Sequence, residues 1–434
     1  MSSSENRRVL RPTIAGTTPR SYLGLRGGVQ RISWYAGGIL NCVRSIHMAD
    51  SLRSLFMLEP DVTYLNHGSF GACPRVVFEE YQMWQRELER NPMAFMTERL
   101  PGLLTEARQA LGNYIGTSGE NVIYFPNPTT AVRTLSRILR LEPGEEILTT
   151  NWEYPGMDQT WELWAYQTGA RYVHQPVPVP MQSSEAFVEA LWAGVTPRTR
   201  IIFMSHIAAF SALIFPVAEI CRRAREAGII TIIDGAHALS QIPLDLTALG
   251  ADIYVGACHK WLCAPKGAGF LAVAPRAQSW ILEAFRHTTA LGAAAREDPT
   301  ALNPISALQP QGTRDQAAVL SVPAAISFQA EHDWDAQRVR CHGLASQTRQ
   351  RITELTGLEP LSPDDPDFYG QMVSIPLPES RFEAIAQSLR DHRVIAVPLR
   401  ANGRALLRVS YQAYNTQEDV DRLITAVNAG LQGG

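Results

Sequence analysis

From Val122 to Lys260 the chain repeats one pattern: a short apolar run, a turn, then a segment with helical periodicity. "VIYFPNPTTAVRTLSRIL", "EEILTTNWEY" with "MDQTWELWAYQTG", and "RIIFMSHI" with "VAEICRRAREAG" all follow it, and "IITIIDGAHA" and "ADIYVGACHK" add two further runs. Strands alternating with helices predict βαβ units. The run at 229–233 offers almost no polar face, so its strand must be covered on both sides, which means a mostly parallel sheet. Two helical segments, "VVFEEYQMWQRELERN" and "LLTEARQALGNYIG", precede this pattern. After residue 317 the texture changes: helices are expected at 317–330 and 335–356, then "QMVSIPLP", "RFEAIAQSLRDH", "VIAVPL", "ALLRVSYQAYN" and a last amphipathic helix from 417 to 429. The predicted organisation is a large α/β domain at 76–316, with a mostly parallel sheet flanked by helices, and a smaller α+β domain at 317–434. A segment at 48–75 is expected to pack on the small domain and the active site.

Bulk properties exclude several classes. A net charge of −3 and 19% charged residues give no basic surface for nucleic acid. No apolar run approaches the ~20 residues of a membrane span. Six scattered cysteines (Cys42, Cys73, Cys221, Cys258, Cys263, Cys341) show no metal spacing and read as reduced thiols in a cytoplasmic protein. Residues 1–47 carry seven arginines against the single acid Glu5, a composition like that of an organellar transit peptide. The favoured expectation is instead a start assigned too far upstream of Met48, where "MADSLRSLFMLEP" opens like a globular enzyme, with residues 1–47 poorly ordered on either explanation.

In parallel sheets ligands sit beyond the carboxyl ends of strands, so the residues after each strand sample one site. There stand Asp234 and His237, then His259 and Lys260, then Ser205 and His206, then Thr129 and Thr130, then Tyr154. Lys260 and Lys266 are the only lysines in 434 residues; arginine supplies all other strong bases. An amine forms a Schiff base with a carbonyl and a guanidinium does not. A lysine, a carboxylate for a ring nitrogen, hydroxyls at a helix start for a phosphate, and an aromatic to stack on a ring together suit pyridoxal phosphate. Taken singly, each has a plainer explanation: Asp234 as a cap, His237 and His259 as core histidines, the threonines as an N-cap, Lys266 as a turn residue. Their concurrence at equivalent strand ends carries the reading. No GxGxxG follows a strand, which removes a Rossmann-type nucleotide binder.

"YLNHGSFGACP", "NPTTA", "DGAHA", "CHKW", "QGTRD" and "LLRVSYQAYNT", in that order from about Leu58 onward, resemble the class V aminotransferase family of fold-type I pyridoxal-phosphate enzymes, and within it the isopenicillin N epimerase-like branch. The resemblance implies that Lys260 forms the Schiff base with the cofactor, Asp234 holds the pyridine nitrogen and His237 bonds the phenolic oxygen. Tyr154 would stack on the ring, and Thr129, Thr130 and His259 would surround the phosphate. Gly312 and Thr313 resemble a segment that reaches a neighbouring subunit's phosphate, which implies a homodimer with sites at its interface. Arg408 would grip a substrate carboxylate, and Asn66 and His67 would close over the substrate. Two positions depart from the family pattern: Ala257 stands where many relatives place Ser or Thr, and "SHIAAFSAL" lacks the Asn of desulfurase-type relatives.

The implied substrate is an amino acid or a compound derived from one. Epimerisation through Lys260 needs a second acid, for which His67 and Tyr154 are candidates. A C–S lyase or an aminotransferase would use the same lysine and ring. A cysteine desulfurase needs a thiol on a loop near the C-terminus, and the last cysteine is Cys341. A non-catalytic scaffold is disfavoured because Lys260, Asp234 and Arg408 are all present.

Overall fold

The computed structural model describes residues 51–286 and 302–433; the expectations for residues 1–47 lie outside them. A short strand β1 (Thr63–Tyr64) precedes the seven strands of the main sheet. These are β2 (Val122–Phe125), β3 (Glu146–Thr150), β4 (Arg171–Gln175), β5 (Thr199–Ser205), β6 (Ile230–Asp234), β7 (Ile253–Ala257) and β8 (Gly269–Val273), in the order β2-β8-β7-β6-β5-β3-β4. Only β8 runs against its neighbours, pairing antiparallel with both β2 and β7. Strands β2, β3, β7 and β8 are buried throughout, as the unbroken apolar runs require. β4, "RYVHQ", sits at an edge and is half exposed, which is why its sequence carries no continuous apolar signal.

The chain passes from β3 to β4 on one side, then crosses back to place β5, β6 and β7 on the other. Strand order therefore reverses between β3 and β5, and a crevice forms at their carboxyl ends. Helices line this end with their N-termini. Pro128–Ile138 is capped by Asn127 with proline at its start, and Pro155–Thr168 begins directly after Tyr154 and ends at Gly169 in the left-handed region.

The C-terminal sheet comprises β9 (Met372–Pro376), β11 (Val397–Ala401) and β12 (Arg404–Ser410), antiparallel in the order β11-β12-β9. A separate strand, β10 (Val394–Ile395), pairs in parallel with β1, so the segment before residue 75 is tied into the C-terminal region. Leu65, Ile375, Ile385, Leu407, Val409 and Leu423 share one core there.

One expectation differs from what is observed. The helix foreseen at 317–330 is broken at Ser321, where Pro323 restarts it as Val322–Glu331. This segment packs on the helices Arg75–Arg90 and Leu100–Tyr114, and its Val319, Leu320, Ala325 and Phe328 join the large-sheet core. No described helix is long and apolar enough to cross a membrane.

Candidate active site

A cavity of about 400 Å³ opens at the carboxyl ends of β5 and β6. Thr129, Tyr154, Asp234, His237, His259, Lys260 and Arg408 all line it, although up to 279 positions separate them (408 − 129). Parallel strands explain the convergence: each ends on the same face, so the loops after β2, β3, β6 and β7 meet there.

Lys260 is half-buried and its amine lies 3.1 Å from His237 Nε2. The indole Nε1–H of Trp261 donates to His237 Nδ1 at 3.4 Å. Burial and the nearby Lys260 hold His237 well below the usual imidazole range, so the ring is neutral and carries one hydrogen. Because indole only donates, a neutral ring that accepts it at Nδ1 carries its hydrogen on Nε2, the nitrogen that faces Lys260 Nζ. Burial pushes Lys260 down to about 8, with Asp234 opposing.

Asp234 ends β6 and is 4% exposed. Its Oδ1 accepts from the N–H of Ala236 at 2.9 Å, and among the described residues none donates to Oδ2. Burial raises its proton affinity, with Lys260 pulling the other way. A buried carboxylate with an open acceptor suits a cationic or N–H donor in the cavity.

At the opposite rim, Thr129 lies in the first turn of Pro128–Ile138, where helix N–H groups and the dipole favour an anion. His259 is anchored by an Nδ1–H bond to the carbonyl of Ala268 at 3.1 Å. Thr130 is not brought to the lining: its hydroxyl and N–H both turn back to Asn127 Oδ1, at 3.1 and 2.9 Å. Tyr154 is half exposed, with its ring over Gly156; a Cβ there would stand 2.8 Å from Tyr154 Cε1.

Arg408 projects from β12 and is 6% exposed. Its Nη1 donates to Ala209 O at 2.6 Å and its Nη2 to Ser69 Oγ at 2.7 Å and Asn66 Oδ1 at 3.4 Å. Its Nε is buried without a partner, and no carboxylate pairs with it among the described residues. Burial alone lowers it to about 10. An unneutralised buried guanidinium calls for an anionic ligand. Asn66 therefore touches the site through Arg408.

His67 does not reach the cavity. It is fully buried beneath the loop, accepting at Nδ1 from Ala72 N (3.3 Å) and donating from Nε2 to the carbonyl of Lys260 (3.0 Å). Tyr414 Oη lies 3.1 Å from Nδ1. Burial takes the ring down to about 3, so it neither closes over a substrate nor serves as an acid there. Lys266, exposed at its turn, donates to the carbonyl of Gly71 at 3.0 Å, which ties the N-terminal segment to the lysine loop. Gly312 and Thr313 are exposed and outside this cavity. Their loop is held to edge strand β2, where Gln309 accepts from Tyr124 N and Gln311 donates to Tyr124 O.

Two residues escaped the sequence reading. Ser69 braces Arg408, and Glu153, 4% exposed, binds Ser205, which lines the cavity beside Asp234 as its strand-end position implied. A carboxylate directly before Tyr154, at a strand end, was the available signal for Glu153.

Residues 64–423 match the family model "Aminotransferase class-V". The chain belongs to the class V aminotransferase family. An isopenicillin N epimerase from Amycolatopsis lactamdurans is 37% identical over 390 residues, covering 86% of this chain and 96% of that one. A putative L-cysteine desulfhydrase from Oryza sativa subsp. japonica is 27% identical, covering 90% of this chain and 88% of the other. Among solved structures, a mutant of C-DES with glycine covalently linked to its PLP cofactor aligns with a TM-score of 0.74 at 21% identity, over 87% of this chain and 98% of that one. The architecture is the fold-type I fold, and the family works with pyridoxal phosphate. The residues present fit that group: an amine at Lys260 whose proton is loosened by burial, an open acceptor at Asp234 Oδ2, and a helix N-terminus with Thr129 and His259 for a phosphate.

Proposed function

We propose that the protein is a pyridoxal-phosphate-dependent epimerase acting at the α-carbon of an amino acid or an amino-acid-derived compound, as the isopenicillin N epimerase it is similar to does by its name. The observation that carries this reading is the Lys260 amine, its proton affinity lowered by burial, facing the same cavity as the unneutralised guanidinium of Arg408. Pyridoxal phosphate, when bound, supplies an aldehyde for an amine and a protonated ring that draws electrons from the α-carbon. Lys260, Thr129, Tyr154, Asp234, His237 and His259 would hold it.

Arg408 fixes the substrate by its carboxylate, with Ser69, Asn66 and the Ala209 carbonyl holding the guanidinium in place. Lys260 Nζ takes the α-proton as general base. Asp234 would hold the cofactor's ring nitrogen with its open carboxylate oxygen, and His237 would offer an N–H to the ring's phenolic oxygen. Inversion needs a proton returned on the other face, and of the two candidate acids only Tyr154 lines the cavity. Tyr154→Phe is therefore expected to keep Cα–H exchange in deuterated water while product of inverted configuration falls about 10²-fold. Equal loss of exchange and inversion would remove Tyr154 from the role of second acid.

The test is incubation of the cofactor-loaded protein with isopenicillin N and a panel of L-amino acids, read by chiral separation. Accumulation of the epimer supports the proposal. Release of sulfide and pyruvate from L-cysteine would favour the C–S lyase reading, which the desulfhydrase similarity motivates. A cysteine desulfurase is disfavoured, because Cys341 is fully buried within Trp334–Thr356 and no cysteine among the described residues lines the cavity. The same reading makes the enzyme a homodimer, with the exposed Gly312–Thr313 loop serving the neighbour's site, and cytoplasmic, where free thiols such as the five described cysteines persist. Light scattering giving twice 48.0 kDa would support the dimer.

A further inference from the structure

The ladder between β3 and β5 stops short of the site. Its last recorded pair is Leu148 with Ile202, whereas β5 stays paired with β6 as far as Ser205 and Asp234. The two strands thus part at the switch point, and their ends have backbone groups left to satisfy. Glu153, in the turn after β3, reaches across this gap. Its Oε1 accepts from Thr150 Oγ1 at 2.6 Å, and its Oε2 accepts from both the N–H (2.8 Å) and the hydroxyl (2.6 Å) of Ser205.

We propose that Glu153 is the positioning residue of this site: it clamps the ends of β3 and β5 together and fixes the Ser205 hydroxyl with its proton turned away from the cavity and its oxygen available beside Asp234. This rests on the reading of the cavity as a cofactor site. Ser205 Oγ–H is committed to Glu153, so toward the cavity the hydroxyl acts only as an acceptor. Together with the open Oδ2 of Asp234 it presents two acceptors from adjacent strand ends, an arrangement that selects a ligand with an N–H donor and rejects one offering a lone pair there. The carboxylate is otherwise costly. It is buried beside Asp234, and Tyr172 and His174 of β4 also lie within its field.

The test compares wild type with Glu153→Ala, Glu153→Gln and Ser205→Ala, each loaded with pyridoxal phosphate, by cofactor titration and by the visible absorbance band. Glu153→Ala is expected to weaken cofactor binding about tenfold and to shift the band. Ser205→Ala should reproduce both effects, and the double variant should add nothing, because the two act as one unit. Glu153→Gln can accept from Ser205 with its amide oxygen and donate to Thr150, so it should restore the band. Glu153→Ala with wild-type binding and band, or fully additive effects with Ser205→Ala, would overturn the proposal. Should Glu153→Ala fail to fold, Ser205→Ala with an unshifted band overturns it equally. A wild-type protein that binds no pyridoxal phosphate would overturn the cofactor reading and this proposal with it.

Discussion

Two buried polar clusters lie on either side of the Lys260 loop, and they differ in one respect. Around His67 the hydrogen bonds close on themselves: Ala72 N donates to one ring nitrogen, and the other donates to the Lys260 carbonyl. Around the cavity they stay open: Asp234 Oδ2 and Arg408 Nε have no protein partner. Burial without satisfaction is costly, so open groups mark where a ligand is needed, and closed ones mark where the fold holds itself together. Both clusters contain histidines of strongly lowered proton affinity, so a shifted pKa alone does not separate them.

Changes on the open side should reach catalysis with little effect on folding. Lys260→Ala should abolish the visible absorbance of the loaded protein and lower turnover by about 10⁴-fold, whereas Lys266→Ala should largely keep both. Arg408→Gln should raise KM about 10²-fold with a smaller change in kcat, since it removes charged hydrogen bonds to a carboxylate. Arg408→Lys should recover only part of this, because a point charge cannot replace a fork.

The closed side should behave in the opposite way. His67→Phe leaves Ala72 N and the Lys260 carbonyl without partners, and is expected to lower stability by about 2–3 kcal/mol while KM stays within about threefold of wild type. Thermal unfolding beside steady-state kinetics checks it, and a large KM effect would move His67 into the site. A further effect is a pH slope. Burial raises Glu153 from 4.5 to about 7 in the folded protein, so the folded state binds that proton more tightly than the unfolded chain. Its contribution to stability is complete below pH 4.5 and is lost as pH rises through about 7. Denaturant titrations from pH 5 to 8 should show this decline, and Glu153→Gln should flatten it.

The open cluster was largely legible in the sequence. Asp234, His237, His259, Lys260, Thr129 and Tyr154 follow strands whose apolar runs are unmistakable, and parallel strands must end together. What could not be read was side-chain direction and long-range pairing. Nothing local shows that Thr130 turns back to Asn127 while Thr129 faces the cavity, or that His67 points down and Ser69 across to Arg408, 339 positions away. Glu153 and Ser205 meet only because β3 and β5 become neighbours after the chain has visited β4. One helix was misjudged: the segment at 317–331 reads as continuous, yet it breaks at Ser321 ahead of Pro323, and its apolar face packs in the large core. Strand β8 was hidden within the lysine-containing stretch, whose chemistry drew attention from its final "GFLAV".

Because the chain has only two lysines, its central claim can be tested at a single atom. The protein loaded with pyridoxal phosphate is reduced with borohydride, digested, and its peptides weighed. The account predicts one stable adduct on Lys260 and none on Lys266. An adduct on Lys266, or no adduct in a protein that retains its fold, would contradict it.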